Sequence, residues 1–265
     1  MRLREYVDNL QSRGRICFTK DEALQDLGCT KIALKRAIEE LQKKKRLVVI
    51  KHIFVLIIPL EYKVWGILPA DWFIDKLMQI LELPYYVCLL TAAQLHGAAH
   101  QKPMQFQVMT NQVLKPIVHG NLAIHFYVNE KISRIPVQKK QCRSGYMNVS
   151  TPESTALDLC RYYKNCGYFS NVATVLAELQ EVIDPKKLYD LATSNIYELA
   201  VLQRLGYLLS LPEVEGANIA QELATIIERK NARWVPLQPG RKITDAAKDP
   251  KWRVYINTEI ETDDL

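Results

Sequence analysis

Two helix starts separated by a short glycine turn are the feature of this chain that most narrows its fold. Thr19 and Glu22 have the spacing of a capping box, in which the threonine accepts from a first-turn amide and the glutamate reaches back. Gly28 is placed to end this helix, and Thr30 to cap the next, predicted from Lys31 to about residue 44. Two helices joined by so short a glycine turn are typical of a helix-turn-helix, and a shorter amphipathic helix over about residues 2–12 precedes them.

Two β-branched runs come after the second of these helices. Residues 47–50 and 53–58 are apolar and are separated by Lys51 and His52. Such runs around a polar turn predict a hairpin, and a hairpin after a helix-turn-helix is a wing. We therefore expect a winged helix-turn-helix domain over residues 1–65, with Lys51 and His52 at the wing tip.

Charge is distributed unevenly along the chain. Residues 1–60 contain 13 basic and 7 acidic side chains, whereas the other 205 residues contain 22 of each, so the formal net charge of +6 belongs to the N-terminal part. A basic module beside a neutral body is typical of nucleic-acid binding, because neutralising phosphates releases counterions. An anionic membrane surface would also attract it.

The predicted recognition helix has an apolar face and a cationic face. At 100° per residue Leu34, Ile38 and Leu41 share the first face, and the cations lie opposite. Such a helix inserts into the major groove of duplex DNA. The predicted DNA contacts are Thr30, Lys31, Ile32, Lys35 and Arg36 on the helix, Lys43, Lys44, Lys45 and Arg46 after it, and Lys51 and His52 on the wing.

Residues 66–265 are predicted to form a mixed C-terminal domain, which makes the chain α+β. A small sheet is expected over about residues 105–149, with strands near 105–110, 123–128 and 146–149, and helices over about 150–230. A helix capped near Asp71 and a mostly apolar helix over residues 84–100 are predicted before the sheet. Residues 150–153 (Ser-Thr-Pro-Glu) open a helix that Ser150 or Thr151 can cap and whose capping box Glu153 completes. Residues 252–256 are a last strand candidate.

A second basic cluster comes after the sheet's middle strand candidate. The interpretation with fewer assumptions is an exposed loop, and the alternative is a second nucleic-acid contact. Its members are Lys131, Arg134, Lys139, Lys140 and Arg143.

The sequence contains only weak motifs for metal binding or catalysis. His96 and His100 lie one helical turn apart without the glutamate of a zincin, and packing is the favoured interpretation. Glu228 and Lys230 match only the end of a nuclease motif, and Asp158 is attributed to a solvated turn. With no glycine-rich phosphate loop and no supported nucleophile, we expect a non-enzyme without metal or cofactor.

The cellular setting is indicated by the cysteines and the N-terminus. Six cysteines without a CxxC pair indicate reduced thiols, and Cys160 and Cys166 are expected to be small buried residues. The charged N-terminus excludes a signal peptide, and no apolar run reaches the length of a membrane helix. A cytoplasmic protein is expected.

Three stretches carry a family resemblance. The runs PYYVCLLTAAQLHGAAHQ at 84–101, STPESTALDL at 150–159 and WRVYIN at 252–257, placed after a winged helix, resemble AbiEi-type antitoxins of type IV toxin–antitoxin (abortive infection) systems. The resemblance implies a bacterial repressor of its own operon that binds inverted repeats in the promoter. It also implies a C-terminal domain that antagonises a nucleotidyltransferase-like toxin, often without a stable complex. The family's DNA contacts lie on the recognition helix and wing, which match residues 30–42 and 46–54 here.

Two other functions fit the residues. One is a one-component transcription regulator whose C-terminal domain senses a small ligand. The other is a nuclease or transferase with a DNA-targeting wing, in which Glu228 would be required for Mg²⁺-dependent chemistry.

Overall fold

The computed structural model describes residues 2–98 and 103–261. It has the predicted α+β class, with an N-terminal winged helix, a central sheet and a helical layer. The N-terminal elements are α1 (Leu3–Ser12), β1 (Cys17–Thr19), α2 (Lys20–Leu27), α3 (Lys31–Lys43), β2 (Leu47–Ile50) and β3 (Phe54–Ile57). The three strands form an antiparallel sheet in the order β1-β3-β2.

Local side-chain chemistry sets the helix-turn-helix as the sequence predicts. Thr19 Oγ1 accepts from the Glu22 amide at 3.0 Å, and the Glu22 carboxylate accepts from the Thr19 amide at 3.3 Å. Gly28 ends α2 in the left-handed region at φ 57°, where a side chain is unfavourable. Thr30 Oγ1 then accepts from the Ala33 amide at 3.2 Å and caps α3.

The central part of the chain forms a six-stranded mixed sheet. Its elements are α4 (Ile74–Ile80), β4 (Tyr85–Val87), α5 (Leu89–Leu95), β5 (Phe106–Thr110), β6 (Ile117–His119), β7 (Leu122–Val128), β8 (Val137–Cys142) and β9 (Gly145–Ser150). The strand order is β6-β7-β5-β4-β9-β8, with β5 parallel to β7 and β4 parallel to β9. The three strands predicted in this region are present.

The predicted helix over residues 84–100 is wrong in its first part. Residues 85–87 are instead a fully buried strand in the middle of the sheet, and the helix spans only Leu89–Leu95. A short apolar run does not reveal by periodicity whether it is a buried strand or a buried helix, and Tyr-Tyr-Val favours the strand. The predicted cap at Asp71 is also wrong, because Asp71 lies in a 3-10 turn and α4 begins after Phe73.

The last part of the chain is a helical layer and then a small sheet. The helices are α6 (Pro152–Arg161), α7 (Tyr168–Leu179), α8 (Pro185–Thr193), α9 (Leu199–Leu209) and α10 (Ala217–Arg229). The strands are β10 (Val235–Pro236), β11 (Ala247–Asp249) and β12 (Val254–Ile256), in the order β10-β12-β11. The predicted strand at residues 252–256 is thus shorter by two residues.

The three-stranded sheet of β1, β3 and β2, called the wing sheet below, is packed on both of its faces. This packing fixes its position against the rest of the protein. Val55 and Ile57 join the core under α1, α2 and α3, whereas Phe54, Leu56 and Ile58 join the core of the central sheet. All residues of β3 are buried because successive side chains point to opposite faces. The wing sheet therefore shares a core with the central sheet. The domain boundary at residue 65 stays a prediction.

Candidate nucleic-acid interface and antitoxin domain

The outward face of α3 carries cations around one exposed apolar side chain. Leu34, Ile38 and Leu41 are buried, while Lys31 and Arg36 are exposed on the other side. Ile32 lies among the cations with 68% of its surface exposed. A face of donors around an aliphatic group is suited to phosphates, base edges and a thymine methyl group.

The cationic charge of this face is little compensated. Lys35 Nζ lies 3.9 Å from Glu39 Oε1 one turn along α3, and both side chains are more than half exposed. An exposed pair of this kind contributes only a few tenths of a kcal/mol and allows the lysine to exchange partners. Thr30 is exposed at the N-terminus of α3, where the helix dipole also favours an anion.

The basic run after α3 divides into exposed lysines and an anchoring arginine. Lys43, Lys44 and Lys45 are exposed. Arg46 instead donates from Nη2 to Asp8 Oδ1 at 2.8 Å and to Gln11 Oε1 at 2.7 Å. Arg46 therefore ties α1 to the start of the wing.

The wing tip is packed against the central sheet. Lys51 Nζ donates to the Lys115 carbonyl at 2.7 Å and lies 5.7 Å from the centroid of the Phe126 ring. Desolvation by this packing, with the Lys115 charge as a smaller cause, lowers the pKa of Lys51. His52 is exposed beside it. At the tip, His52 faces solvent and Lys51 holds the wing in place.

Members of the second basic cluster bind acceptors of the protein itself. Lys131 Nζ donates to the Ile196 carbonyl at 2.9 Å, Arg134 to Ser194 at 2.9 Å, and Lys140 to Leu95 at 3.0 Å. Arg143 lies 4.2 Å from the Trp72 ring centroid and 3.9 Å from the Glu61 carboxylate, and Lys139 is exposed on β8. Three of the five cations thus satisfy carbonyls at or after helix ends.

Two acidic residues of α6 differ from their predicted roles. Thr151, one of the two predicted caps, caps α6, and its Oγ1 accepts from the Ser154 amide. Glu153 is buried and accepts from the Asp184 amide at 3.0 Å, joining α6 to the start of α8. Asp158 is fully buried rather than in a solvated turn. Because Thr151 is the cap, the third residue of the helix is Ser154, and Glu153 lies in the interior instead of completing a capping box.

Asp158 is held by two tyrosine hydroxyls from different elements. Tyr86 of β4 donates to Oδ2 and Tyr197 to Oδ1, both at 2.9 Å. Burial raises the pKa of Asp158 to about 7, although the two hydroxyls act to lower it. The carboxyl group joins the sheet, α6 and the segment before α9. The sequence signal for an interior aspartate is its position between Leu157 and Leu159.

Replacing Asp158 by asparagine is expected to remove a pH dependence of stability. The pKa in the folded state lies above the unfolded value of about 3.9, so its contribution to stability is complete below about pH 4 and is lost as the pH rises to about 7. We expect the Tm of the wild type to fall relative to that of Asp158→Asn between about pH 4 and pH 7.

The control for this comparison is Asp190→Asn, on the exposed side of α8. Its Tm should follow that of the wild type across the same range. A constant difference between the wild type and Asp158→Asn at every pH would contradict the assignment.

Two residues of the weak catalytic and metal-site patterns, His96 and Lys230, form hydrogen bonds within the protein. His96 donates from Nε2 to the Ser150 carbonyl at 2.8 Å and accepts at Nδ1 from Gln138 at 3.3 Å, so both ring nitrogens have partners. His100 lies outside the described residues. Glu228 is exposed near the end of α10, and Lys230 donates to Asn195 Oδ1 at 2.7 Å. Within residues 2–98 and 103–261, no group of three or more histidine, cysteine, aspartate or glutamate side chains could hold a metal ion.

The cysteines behave as the sequence predicts. Cys160 and Cys166 are buried among the helices, and burial raises the pKa of Cys160 to about 12. Thiols in this environment are inert packing groups. In the part of the chain that the structure describes, every helix is too short or too polar to cross a membrane.

The region from β4 to just after α9 matches a known domain family. Residues 85–211 match the family model of the AbiEi antitoxin C-terminal domain. The chain carries an AbiEi antitoxin domain. This AbiEi domain contains the six-stranded sheet, helices α6 to α9 and the buried Asp158. AbiEi antitoxins are components of toxin–antitoxin systems, so the match confirms the resemblance and supports an antitoxin role.

A solved structure extends the comparison beyond the AbiEi domain. The crystal structure of the RV2827C protein from Mycobacterium tuberculosis is similar in fold, with a TM-score of 0.64 and 13% sequence identity. The match covers 94% of this chain and 89% of that chain, and at this identity it shows the fold alone. No curated protein sequence matches the chain.

Proposed function

We propose that this protein is a DNA-binding antitoxin that represses its own toxin–antitoxin operon. The observation that carries the proposal is the combination of an AbiEi domain with a winged helix whose α3 presents exposed cations. In this role two copies occupy the halves of an inverted repeat in the promoter, in the cytoplasm of a bacterium. The protein acts by binding, without catalysis or a cofactor.

The contacts divide the predicted DNA-binding residues by role. Side chains that are exposed on or beside α3 contact DNA, and His52 does so from the wing. Arg46 and Lys51 position the wing, because each already binds groups of the protein. The residues proposed to contact DNA are Thr30, Lys31, Ile32, Lys35, Arg36, Lys43, Lys44, Lys45 and His52.

The AbiEi domain is proposed to antagonise a nucleotidyltransferase-like toxin. The match to an antitoxin family supports this, and the toxin gene is expected immediately downstream. Neutralisation need not involve a stable complex. The cluster at residues 131–143 is proposed to contribute to a second nucleic-acid contact through Lys139 and Arg143, whose side chains are exposed.

Binding of the DNA upstream of the gene tests the proposal. We expect a gel shift whose affinity falls with salt. The logarithm of the association constant should fall against the logarithm of the salt concentration at a slope of about −4.5 per bound copy, because about five cations of α3 and its C-terminus each neutralise a phosphate. A duplex of the same composition in scrambled order is the control and should bind more weakly. Absence of a shift, or equal affinity for the scrambled duplex, would overturn the proposal.

A further inference from the structure

A second concentration of positive charge lies after α10. Residues 229–257 contain eight lysines and arginines and two aspartates, a net charge of +6 that the neutral total of residues 61–265 conceals. This segment lies beyond residues 85–211, which match the AbiEi domain. It forms the small sheet of β10, β12 and β11 and the loops between them.

The small sheet has one buried face and one exposed face. Val254 and Leu237 are fully buried and pack in the helical core. On the opposite face Tyr255 is paired with Lys248 across β12 and β11, and Trp234 precedes β10 with 39% of its surface exposed. The alternation of side chains along a strand separates these two sets.

The exposed face combines two aromatic rings with a cation. The centroids of Trp234 and Tyr255 are 5.3 Å apart with the rings tilted by 47°. Lys248 Nζ lies 5.8 Å from the Trp234 centroid and 5.5 Å from the Tyr255 centroid. Arg233 and Lys251 are also exposed next to these elements. Trp234 is exposed and Tyr255 is partly exposed, so both rings can be reached by a planar ligand from solvent.

The backbone beneath this face is fixed by side-chain hydrogen bonds. From α9, Gln203 Nε2 donates to the carbonyls of Arg233 at 2.9 Å and Trp252 at 3.0 Å. Arg204 Nε, also of α9, donates to the Leu237 carbonyl at 3.0 Å, and Arg253 donates to the Ala232 carbonyl at 2.6 Å. The aromatic rings are therefore held on a rigid support before any ligand binds, which lowers the entropic cost of binding.

Acidic side chains near this face are few or occupied. Asp249 Oδ1 accepts from the Trp252 amide at 2.9 Å and thereby closes the turn before β12. Glu259 and Glu261 lie in a separate depression with Arg241, toward the C-terminus. Lys248 is the cation that lies against both rings, and Lys251 Nζ lies 5.1 Å from the centroid of the neighbouring Trp252 ring.

We propose that the exposed face of the small sheet binds a single-stranded polynucleotide. Unpaired bases stack on the rings of Trp234 and Tyr255, and the surrounding cations contact the phosphates. Duplex DNA does not fit this chemistry, because its bases are already stacked on one another. An acidic protein surface would use the cations and leave the aromatic pair without a role.

Fluorescence anisotropy with labelled homopolymers of about 12 nucleotides tests the proposal, with adenylate RNA and DNA as separate arms. We expect the full-length protein to bind, and Trp234→Ala to weaken binding by about 5- to 150-fold, the range of base–aromatic stacking. Stronger binding of RNA would identify a contact to the 2′-hydroxyl, and equal binding would identify stacking with phosphate contacts alone.

The matched control is Trp65→Ala, which removes a tryptophan that is 64% exposed outside the basic segment. It should bind as the wild type does. No binding of either homopolymer, or equal loss in Trp65→Ala, would overturn the proposal. If polyglutamate displaced the homopolymer and Trp234→Ala had no effect on binding, the result would overturn the proposal in favour of an acidic protein partner.

Discussion

Replacing Lys31 and Arg36 by glutamate is expected to weaken binding of the upstream duplex at least ~100-fold. Both side chains are exposed on the outward face of α3. A hydrogen bond to a charged group contributes about 1.5–3 kcal/mol, and two such bonds are lost together. Each factor of ten corresponds to about 1.4 kcal/mol, and the repulsion between glutamate and phosphate adds to the loss. Titration in a gel shift or by anisotropy measures the change.

The control is Arg4→Glu/Arg13→Glu, which makes the same change in net charge on and just after α1. This variant should lose less than about tenfold, because only the long-range attraction is reduced. Equal losses in the two double variants would mean that net charge, not the α3 surface, determines binding. Both variants should keep the wild-type Tm, since all four side chains are exposed.

Replacing Gly206 by alanine is expected to destabilise the protein by about 3 kcal/mol or more, the upper range for overpacking a core. Gly206 lies in α9 directly against the ring of Trp252, which is fully buried. A Cβ atom there would lie 2.6 Å from Cη2 and still closer to two other ring atoms. In an exposed helix the change from glycine to alanine would stabilise the protein by about 1 kcal/mol. A destabilising effect therefore identifies the contact between residue 206 and the Trp252 ring. Urea unfolding measures it.

A double-mutant cycle with Trp252→Phe is the control for this prediction. The smaller ring lacks the atoms that the new methyl group would overlap, so the cost of Gly206→Ala should be smaller in the Trp252→Phe background. Additive costs would show that the destabilisation comes from elsewhere. Because Trp252 also supports β12, Gly206→Ala should loosen the small sheet before the rest of the fold.

The N-terminal part of the fold is predictable because its signals are local. Thr19, Glu22, Gly28 and Thr30 each determine a helix end within three residues of themselves. The exposed cations of α3 follow from helical periodicity once these ends are fixed. The docking of Lys51 on the central sheet is not predictable, since its partners at residues 115 and 126 are distant in the sequence.

The C-terminal part depends on pairing between distant segments. The short apolar run of the middle strand β4 has no periodicity that distinguishes a buried strand from a buried helix. The edge strands β6 and β8 show no pattern that distinguishes them from loops. The hydrogen-bond partners of Asp158 are not apparent locally, because Tyr86 and Tyr197 lie 72 and 39 residues away. The charge of the small sheet does not show in a sum over 205 residues, because acidic side chains elsewhere cancel it.

The central claim is that DNA binding and toxin antagonism are performed by different parts of the chain. Growth of cells that co-express the proposed toxin with the Lys31→Glu/Arg36→Glu variant tests it most directly. The variant should fail to repress a reporter under the upstream promoter and should protect growth as well as the wild type does. A folded variant that loses protection together with repression would contradict the claim.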